Sequence, residues 1–223
     1  MELPLIRLAV VDSTQDFLRR NPHLGFCVVV ADCQREGRGR QGNRWESETG
    51  TGLWMSAALP SPDGVAPGLV LQRAMVAAAR VLDPAGQTLG LKWPNDLVAW
   101  KQGRLVKLGG IIGEQIGSRL LLGLGVNLTS APEIPGRAFP PASLRDLGLT
   151  ASPVAELALL ISIFWKSLEQ DIQPLFRWPD TGTPLRWDDG LGTCLGWEPD
   201  GRLKVTMAQG IRRLSAGDIS GLG

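Results

Sequence analysis

Short apolar stretches separated by glycine, proline and aspartate dominate the middle of the chain. The stretches are rich in Val, Ile, Leu and Trp, and they predict β-strands over residues 27–31, 53–59, 89–93, 105–112 and 120–128. A further strand is predicted over 96–100, where Lys101-Gln102-Gly103-Arg104 has the composition of a hairpin turn. The pattern therefore indicates a sheet built largely from neighbouring strands.

Three segments have the spacing of helices. Residues 13–20 begin with Ser13 as a candidate N-cap, and Asp16 follows three residues later in capping-box register. Residues 65–83 are alanine-rich with apolar positions at helical spacing, and they end near Pro84. Residues 152–171 begin with Ser-Pro and carry the third apolar face.

The character of the chain changes after Gln173. A stretch rich in proline and glycine comes first, and short strands predicted over 192–197, 202–207 and 211–214 alternate with turns. This pattern is typical of a small β-barrel-like module. We therefore expect two domains, over residues 1–176 and 177–223.

The amino-acid composition excludes some kinds of catalysis but says little about the fold. The chain has 223 residues and a formal net charge of +1, so any anionic ligand must meet a local basic cluster. His23 is the only histidine and tyrosine is absent, which removes Ser-His-Asp hydrolysis and histidine-ligated zinc unless His23 serves. The odd number of cysteines and the lack of a signal-like N-terminus lead us to expect a cytoplasmic protein with reduced thiols.

One segment combines glycine and arginine: Gly37-Arg38-Gly39-Arg40-Gln41-Gly42-Asn43-Arg44-Trp45. Its glycines let the backbone approach a ligand and expose its amides, and its arginines supply the charge that a polyphosphate needs. A flexible basic surface loop or a nucleic-acid contact would have the same composition.

Three further segments carry candidate chemistry. Lys92-Trp93-Pro94-Asn95-Asp96 ends a strand with oxygen ligands suited to Mg²⁺, although a plain Pro-Asn-Asp turn has the same residues. Lys107 precedes Gly109 and Gly110, which predict a bulge or a close backbone approach; the alternative is a solvated lysine on an edge strand. Residues 123–127 form another glycine-interrupted strand, which ends in Asn127.

Taken in order, these segments resemble the biotin–protein ligase family. The resemblance is carried by Asp12-Ser13-Thr14, the glycine–arginine segment, residues 92–96, Lys107 with Gly110-Ile111, and residues 123–127. It covers about residues 8–130 strongly and the C-terminal module more loosely, through 192–197 and 217–219. It implies an α/β (α+β) fold: a mixed β-sheet flanked by helices, with a small SH3-like β-barrel C-terminal domain.

The resemblance also implies a reaction. Biotin and ATP give biotinyl-5′-adenylate and pyrophosphate, and a lysine of the biotin carboxyl carrier protein then attacks the mixed anhydride. Mg²⁺ is the expected cofactor, and neither DNA nor a membrane is an expected partner; the chain could be a monomer or a homodimer.

The resemblance also implies roles for the residues that match the family pattern. Lys107 and Arg40 are the expected catalytic residues, and Asp96 is the expected metal ligand. Biotin is expected to contact Ser13, Thr14, Gln34, Gly37, Arg38, Trp45, Lys107 and Gly110. ATP is expected to contact Arg38, Arg40, Gly42, Trp45, Lys92, Asn95, Asp96, Lys107 and Asn127.

Two positions depart from the family pattern. Gln15 stands where asparagine is common, and Asn43 stands where a further arginine is common, with Arg44 adjacent. The family segments also begin within about a dozen residues of Met1, too few for a helix-turn-helix domain, so we expect a ligase-only type.

Three alternatives stay open at this point. A lipoate–protein ligase uses the same adenylation logic, and the glycine–arginine and Lys-Trp-Pro-Asn-Asp segments favour biotin over it. A nucleic-acid-binding protein would use the basic loop, but the net charge of +1 disfavours it. A catalytically inactive ligand-binding protein is disfavoured because Lys107 and Asp96 are both present.

Overall fold

The structure is a computed structural model that describes residues 3–167, 175–187 and 189–221. The helices are α1 (Thr14–Arg20), α2 (Pro67–Leu82) and α3 (Val154–Ser167). The strands, in chain order, are β1 (Leu5–Val11), β2 (Cys27–Gln34), β3 (Gly37–Arg38), β4 (Arg44–Trp45), β5 (Gly52–Pro60), β6 (Leu89–Lys92), β7 (Asp96–Lys101), β8 (Arg104–Ile116), β9 (Arg119–Asn127), β10 (Phe176–Trp178), β11 (Pro184–Trp187), β12 (Gly190–Trp197), β13 (Leu203–Met207), β14 (Gly210–Leu214) and β15 (Ile219–Gly221).

Among the described residues, eight strands form one mixed sheet in the order β1-β2-β5-β9-β8-β7-β6-β10. The outer pairs β1–β2 and β6–β10 are parallel, and the other neighbours are antiparallel. The long central strands β5, β8 and β9 pair along most of their length, which places the loops at their ends on a common rim.

Helices cover both faces of this sheet. Val28 and Val30 of β2 point into the main core with α2 and α3, whereas Cys27 and Val29 point to a smaller cluster that contains Leu18 of α1. The alternation follows from the two-residue period of a strand. The predicted mixed sheet flanked by helices is confirmed.

The C-terminal part is a second, antiparallel sheet. Within the described ranges its strands follow the order β14-β13-β12-β11-β15. Its core includes Trp93 from the end of β6, whose indole Nε1 donates to the carbonyl of Gly201 at 3.0 Å. One tryptophan therefore joins the two sheets. The short β-strands predicted for this part are confirmed, and the structure shows that they pair antiparallel. The SH3-like description and the boundary at residue 177 stay predictions; β10, which spans that boundary, pairs with the large sheet.

Several predicted elements need correction in detail. Helix α2 begins at Pro67 rather than at residue 65, because proline suits the first helical position. The first helix has only half of a capping box: the Ser13 hydroxyl accepts from the Asp16 N–H, but the Ser13 N–H donates to Asp12. Residues 168–171 of the predicted third helix lie outside the described residues. Strands β1, β3, β4, β10, β11 and β15 were not predicted. No helix in the described ranges is long and apolar enough to cross a membrane.

Candidate active site

A cavity of about 530 Å³ opens between the large sheet and the C-terminal sheet. Every predicted site residue lines it except Gly37 and Gly42. Gly42 is exposed in a left-handed conformation at φ 76°, and a side chain on Gly37 would meet the backbone oxygen of Trp45 at 2.5 Å. These two glycines shape the loop, and their predicted ligand contacts stay predictions.

A carboxylate between two ammonium groups lies in the wall of the cavity. Asp96 Oδ1 is 2.7 Å from Lys107 Nζ, and Asp96 Oδ2 is 3.3 Å from Lys92 Nζ. Burial alone would raise the pKa of Asp96, but the two lysines outweigh that effect and hold its pKa below the ordinary value. The carboxylate is therefore ionised, and the group as a whole keeps one net positive charge for an anionic ligand.

The local chain geometry explains how Lys107 reaches this position. Strands β7 and β8 shift register where Leu97 pairs with Gly109 and Val98 pairs with Lys107, so the pair is bulged as the two glycines predicted. A side chain on Gly109 would lie 2.6 Å from the Gly125 carbonyl oxygen. Gly110 leaves the space beside Asp96 open, since a Cβ there would be 3.4 Å from Oδ1.

Lys92 is almost fully buried, with 5% of its side chain exposed. Its ammonium also lies 4.9 Å from the centre of the Phe139 ring and 5.9 Å from that of Trp178. Aromatic faces and the Asp96 carboxylate thus replace water around the charge. Lys92 is more enclosed than Lys107, whose side chain is 32% exposed and faces the cavity.

The glycine–arginine segment folds over one side of the cavity. Arg38 Nε donates to Asp16 Oδ2 at 2.5 Å, and Arg40 Nη1 donates to Asn95 Oδ1 at 3.1 Å and to the carbonyl of Gly217 at 3.3 Å. Arg40 therefore bridges the Lys-Trp-Pro-Asn-Asp segment and the C-terminal sheet. The adjacent Arg44 donates to the backbone carbonyl of Arg35, and both Asn43 and Arg44 line the cavity.

Trp45 forms an aromatic wall, and a glycine opposite makes its position possible. A Cβ on Gly125 would lie 2.7 Å from the Trp45 ring. The Lys107 ammonium is 5.6 Å from the centre of that ring, and Trp54 packs edge-on behind it at 6.3 Å. The ring therefore lies beside the Lys107 ammonium in the wall of the cavity.

One end of the cavity, formed by Thr14, Gln34 and Ser56, is neutral and polar. Gln34 Oε1 accepts from the Thr14 N–H at 2.9 Å and from the Thr14 hydroxyl at 3.1 Å, and that hydroxyl lies 2.8 Å from Ser56 Oγ. The Ser13 hydroxyl caps α1. This network holds amide and hydroxyl groups at fixed positions beside a ligand.

Asn127 supports the loop that roofs the cavity. Its Nδ2 donates to the carbonyl of Ala142 at 3.2 Å, and the backbone of Lys107 hydrogen-bonds to Pro140 and to Ala142. The side chain also lines the cavity, so a direct ligand contact stays a prediction.

The sequence did not predict two groups of lining residues, and it did not predict Ser56. The roof comes from the chain after β9, and the far wall comes from the C-terminal sheet; the unpredicted residues of these two groups include Pro132, Ile134, Arg137, Phe139, Arg186, Trp187, Asp218 and Ser220. The family-like run 217–219 was a partial signal for the far wall. The single histidine, His23, is exposed and does not line the cavity.

The side-chain oxygens of Asp96 and Asn95 are paired with cationic groups of the chain itself. Both oxygens of Asp96 face lysine ammonium groups, and Asn95 Oδ1 accepts from Arg40. Among the described residues, no group of three His, Cys, Asp or Glu side chains is placed to hold an ion. This donor set does not favour the predicted metal role of Asp96, which no observation tests directly, so we derive no step through Mg²⁺.

Comparison with known proteins decides the family. The model of the Biotin/lipoate A/B protein ligase family matches residues 8–129. This chain belongs to that family. The matched range contains most of the residues that line the cavity, among them those of the glycine–arginine segment, the Lys92–Asp96–Lys107 group and β9.

Relatives within the biotin/lipoate ligase family bear more specific names. A protein of Mycobacterium tuberculosis named biotin–[acetyl-CoA-carboxylase] ligase is 35% identical over 86% of this chain and 77% of its own length. The bifunctional ligase/repressor BirA of Bacillus subtilis is 28% identical over 96% of this chain and 73% of its own length. The biotin protein ligase of Aquifex aeolicus, solved in complex with biotin and ATP, superposes with a TM-score of 0.74 at 24% identity and 98% coverage of both chains, which shows a shared fold.

Proposed function

We propose that this chain is a biotin–protein ligase, which joins biotin to ATP and then transfers the biotinyl group to a lysine of a biotin carboxyl carrier protein. The observation that carries the proposal is the chemical division of one cavity. Thr14, Gln34 and Ser56 form a neutral hydrogen-bonding end, and Lys107 with Arg40 forms a cationic end. Biotinyl-adenylate has the same division, with an uncharged ureido ring at one end and a phosphate at the other.

The first step brings two anions together. The biotin carboxylate attacks the α-phosphorus of ATP, a new O–P bond forms, and pyrophosphate leaves with the electrons of the broken P–O bond. Lys107 lies where the aromatic wall of Trp45 meets the cationic end, so its ammonium can contact the carboxylate and an α-phosphate oxygen together. A positive charge held there stabilises the charge that develops on the phosphoryl oxygens.

Asp96 acts on Lys107 rather than on the substrate in this account. Its carboxylate holds the ammonium at a distance of 2.7 Å and so fixes its position. The buried Lys92 on the other oxygen fixes the carboxylate in turn. Positioning of this kind lowers the entropic cost of bringing the reacting groups together.

The loop that carries Arg38 and Arg40 covers the product of the first step. Arg40 reaches the C-terminal sheet at Gly217, so the loop and that sheet close the cavity from two sides. Exclusion of water protects the mixed anhydride from hydrolysis until the carrier lysine arrives. That amine then attacks the acyl carbon, an amide bond forms, and AMP leaves; this second step requires no nucleophile from the ligase itself.

The test is transfer to an isolated carrier domain. Purified protein incubated with biotin, ATP and the domain should add one biotinyl group, seen as a single mass increase in the intact domain. A carrier variant with arginine in place of the acceptor lysine should remain unmodified. Equal transfer of lipoate would favour the lipoate ligase alternative, and no transfer of either acid from a folded, biotin-binding protein would contradict the proposal.

A further inference from the structure

Trp93 belongs to the same short segment as Lys92 and Asp96, but its side chain is buried in the core of the C-terminal sheet. Among the described residues, it is the one buried member of that core that comes from outside the C-terminal sheet. Trp187 and Ile219 of the same core also line the cavity. The packing around Trp93 therefore continues directly into the far wall of the cavity.

The backbone carbonyl of Gly201 accepts two side-chain hydrogen bonds from outside its own sheet. Trp93 Nε1 donates to it at 3.0 Å, and Gln72 Nε2 of α2 donates to it at 2.7 Å. Both donor side chains are buried, and a carbonyl oxygen has lone pairs for both bonds. The three residues form a buried contact between the two parts of the chain, the Gly201 joint.

The turn that carries Gly201, between β12 and β13, fits closely against the start of α2. Gly201 has a left-handed φ of 86°, and a Cβ there would lie 2.6 Å from the backbone nitrogen of Leu69 and 2.7 Å from the carbonyl carbon of Gly68. Helix backbone cannot move aside as the end of a flexible side chain can. Only glycine therefore allows the turn to lie at this distance from α2.

The second contact between the two parts, at the cavity itself, is more open. Arg40 Nη1 donates to the Gly217 carbonyl at 3.3 Å and lies 3.9 Å from the Asp218 carboxylate, whose side chain is 62% exposed. Exposed ion pairs of this kind contribute little to stability, whereas buried hydrogen bonds are costly to lose. The Gly201 joint therefore does more than the Arg40 contact to fix the C-terminal sheet.

We propose that the Gly201 joint positions the C-terminal sheet so that Arg186 in the far wall of the cavity meets the phosphates of ATP. The inference rests on the proposed function, because it concerns the nucleotide of that reaction. Trp93 and Gln72 do not line the cavity, so they act as positioning residues. Arg186 stands between Leu185 and Trp187, which pack in the core around Trp93, so a shift of that core moves its guanidinium.

The joint should affect ATP and spare biotin. The neutral end of the cavity is built from Thr14, Gln34 and Ser56, which lie on α1, β2 and β5 and do not touch the C-terminal sheet through any of their hydrogen bonds. Small displacements of a group that binds or orients a substrate have large effects on its use. Loss of the joint therefore predicts weaker use of ATP at an unchanged affinity for biotin.

The test removes one indole N–H from each of two buried tryptophans. Trp93→Phe should raise the KM for ATP in biotin-dependent pyrophosphate exchange about five-fold and leave the Kd for biotin, measured by titration calorimetry, unchanged. Trp165 is the matched control, because it is fully buried and its Nε1 donates to the Ala74 carbonyl at 2.8 Å in the main core, outside the cavity lining. Trp165→Phe loses the same kind of bond and should keep the wild-type KM for ATP.

Two glycine variants test the other side of the joint and replace the first pair if Trp93→Phe does not fold. Gly201→Ala should push the turn away from α2 and raise the KM for ATP about five-fold or more. Gly210 also has a positive φ, of 120°, in the same sheet, but a Cβ there would meet no atom within 4 Å. Gly210→Ala therefore adds backbone strain without the collision and should keep the wild-type KM for ATP.

The outcomes separate the joint from the reaction. The inference is overturned by an unchanged KM for ATP in folded Trp93→Phe or Gly201→Ala, by an equal loss of biotin affinity, or by an equal rise of this KM in Trp165→Phe. The proposed function survives each of these results, because exchange by the wild type still requires biotin. Folded wild-type protein without biotin-dependent exchange contradicts the proposed function and the inference with it.

Discussion

Asp96 Oδ1 lies 2.7 Å from Lys107 Nζ, and the same carboxylate also faces the buried Lys92 at 3.3 Å. One acidic side chain therefore balances two basic ones in the wall of the cavity. Two ammonium groups this close would repel each other in the absence of that carboxylate, and one of them has little access to water.

Asp96→Asn should therefore destabilise the fold. The change leaves the buried Lys92 without its counter-ion, and loss of one partner of a buried pair costs about 3 kcal/mol in the free energy of unfolding. Urea denaturation at neutral pH measures the loss. Asp200→Asn is the control, because its ion pair with Arg202 lies at the surface. Equal stability of Asp96→Asn and Asp200→Asn would refute the structural importance of Asp96.

Gly125→Ala should displace Trp45 and weaken biotin binding. The added methyl group would stand 2.7 Å from the indole ring, so the ring must move. Overpacking of this kind costs about 1–3 kcal/mol, and we expect roughly a ten-fold lower affinity by titration calorimetry. Gly68→Ala is the matched control, since its Cβ would meet its nearest neighbour at an ordinary 3.6 Å. Unchanged affinity in Gly125→Ala would show that Trp45 does not bound the biotin site.

Arg186→Met should raise the KM for ATP about five-fold and leave the KM for biotin unchanged. Arg186 lies on β11, lines the cavity, and has no ion-pair partner among the described residues. A guanidinium in the wall of the cavity suits the outer phosphates of ATP. Arg212→Met, which removes a surface pair with Asp189, is the control. An unchanged KM for ATP in Arg186→Met would show that Arg186 does not contact the nucleotide.

Acid should weaken the turn at Ser143–Asp146, which follows the roof of the cavity. The Ser143 backbone N–H and hydroxyl donate to Asp146, and these bonds, with a contribution from Lys101, hold the pKa of Asp146 below its ordinary value. A carboxylate with a lowered pKa stabilises the fold above its unfolded value of about 3.9, and that contribution is lost as the pH falls through the folded pKa.

Asp146→Asn should therefore be less stable at pH 7 and should lose less stability on acidification from about pH 5 to pH 2. Urea unfolding across that range compares the variant with wild type. Both curves should fall, because Asp12 and Asp96 also have lowered pKa values. Parallel curves for variant and wild type would rule out a contribution from Asp146.

The central strands could be predicted because their residues are apolar on both faces. Nearly every position of β9 is buried between helices. A continuous apolar run of this kind can be recognised in the sequence without knowing which strands pair with it. Strand β1 was missed because it lies at the sheet edge, where Arg7 and Val10 are exposed and the apolar pattern is broken. Strands β10 and β15 have three residues each, too few for a pattern.

The segments that form the site could be predicted from the sequence, but their arrangement in space could not. The order of the segments favoured a biotin ligase, and the cavity does contain Lys107, Asp96 and Arg40. The contact of Asp96 with two lysines depends on the bulge between β7 and β8. Residue types alone do not determine where that bulge forms. The approach of Arg186 depends on how the two sheets pack around Trp93, a long-range relationship without any local signal.

Biotin-dependent exchange of pyrophosphate into ATP, measured for wild type and for Lys107→Ala, tests whether this chain adenylates biotin and whether Lys107 promotes that step. We expect exchange that requires biotin, is not supported by lipoate, and falls at least about 100-fold in Lys107→Ala. Lys204→Ala, a lysine of β13 outside the cavity, should exchange like wild type. Exchange that persists in a folded Lys107→Ala protein, or that lipoate supports equally well, would contradict the account.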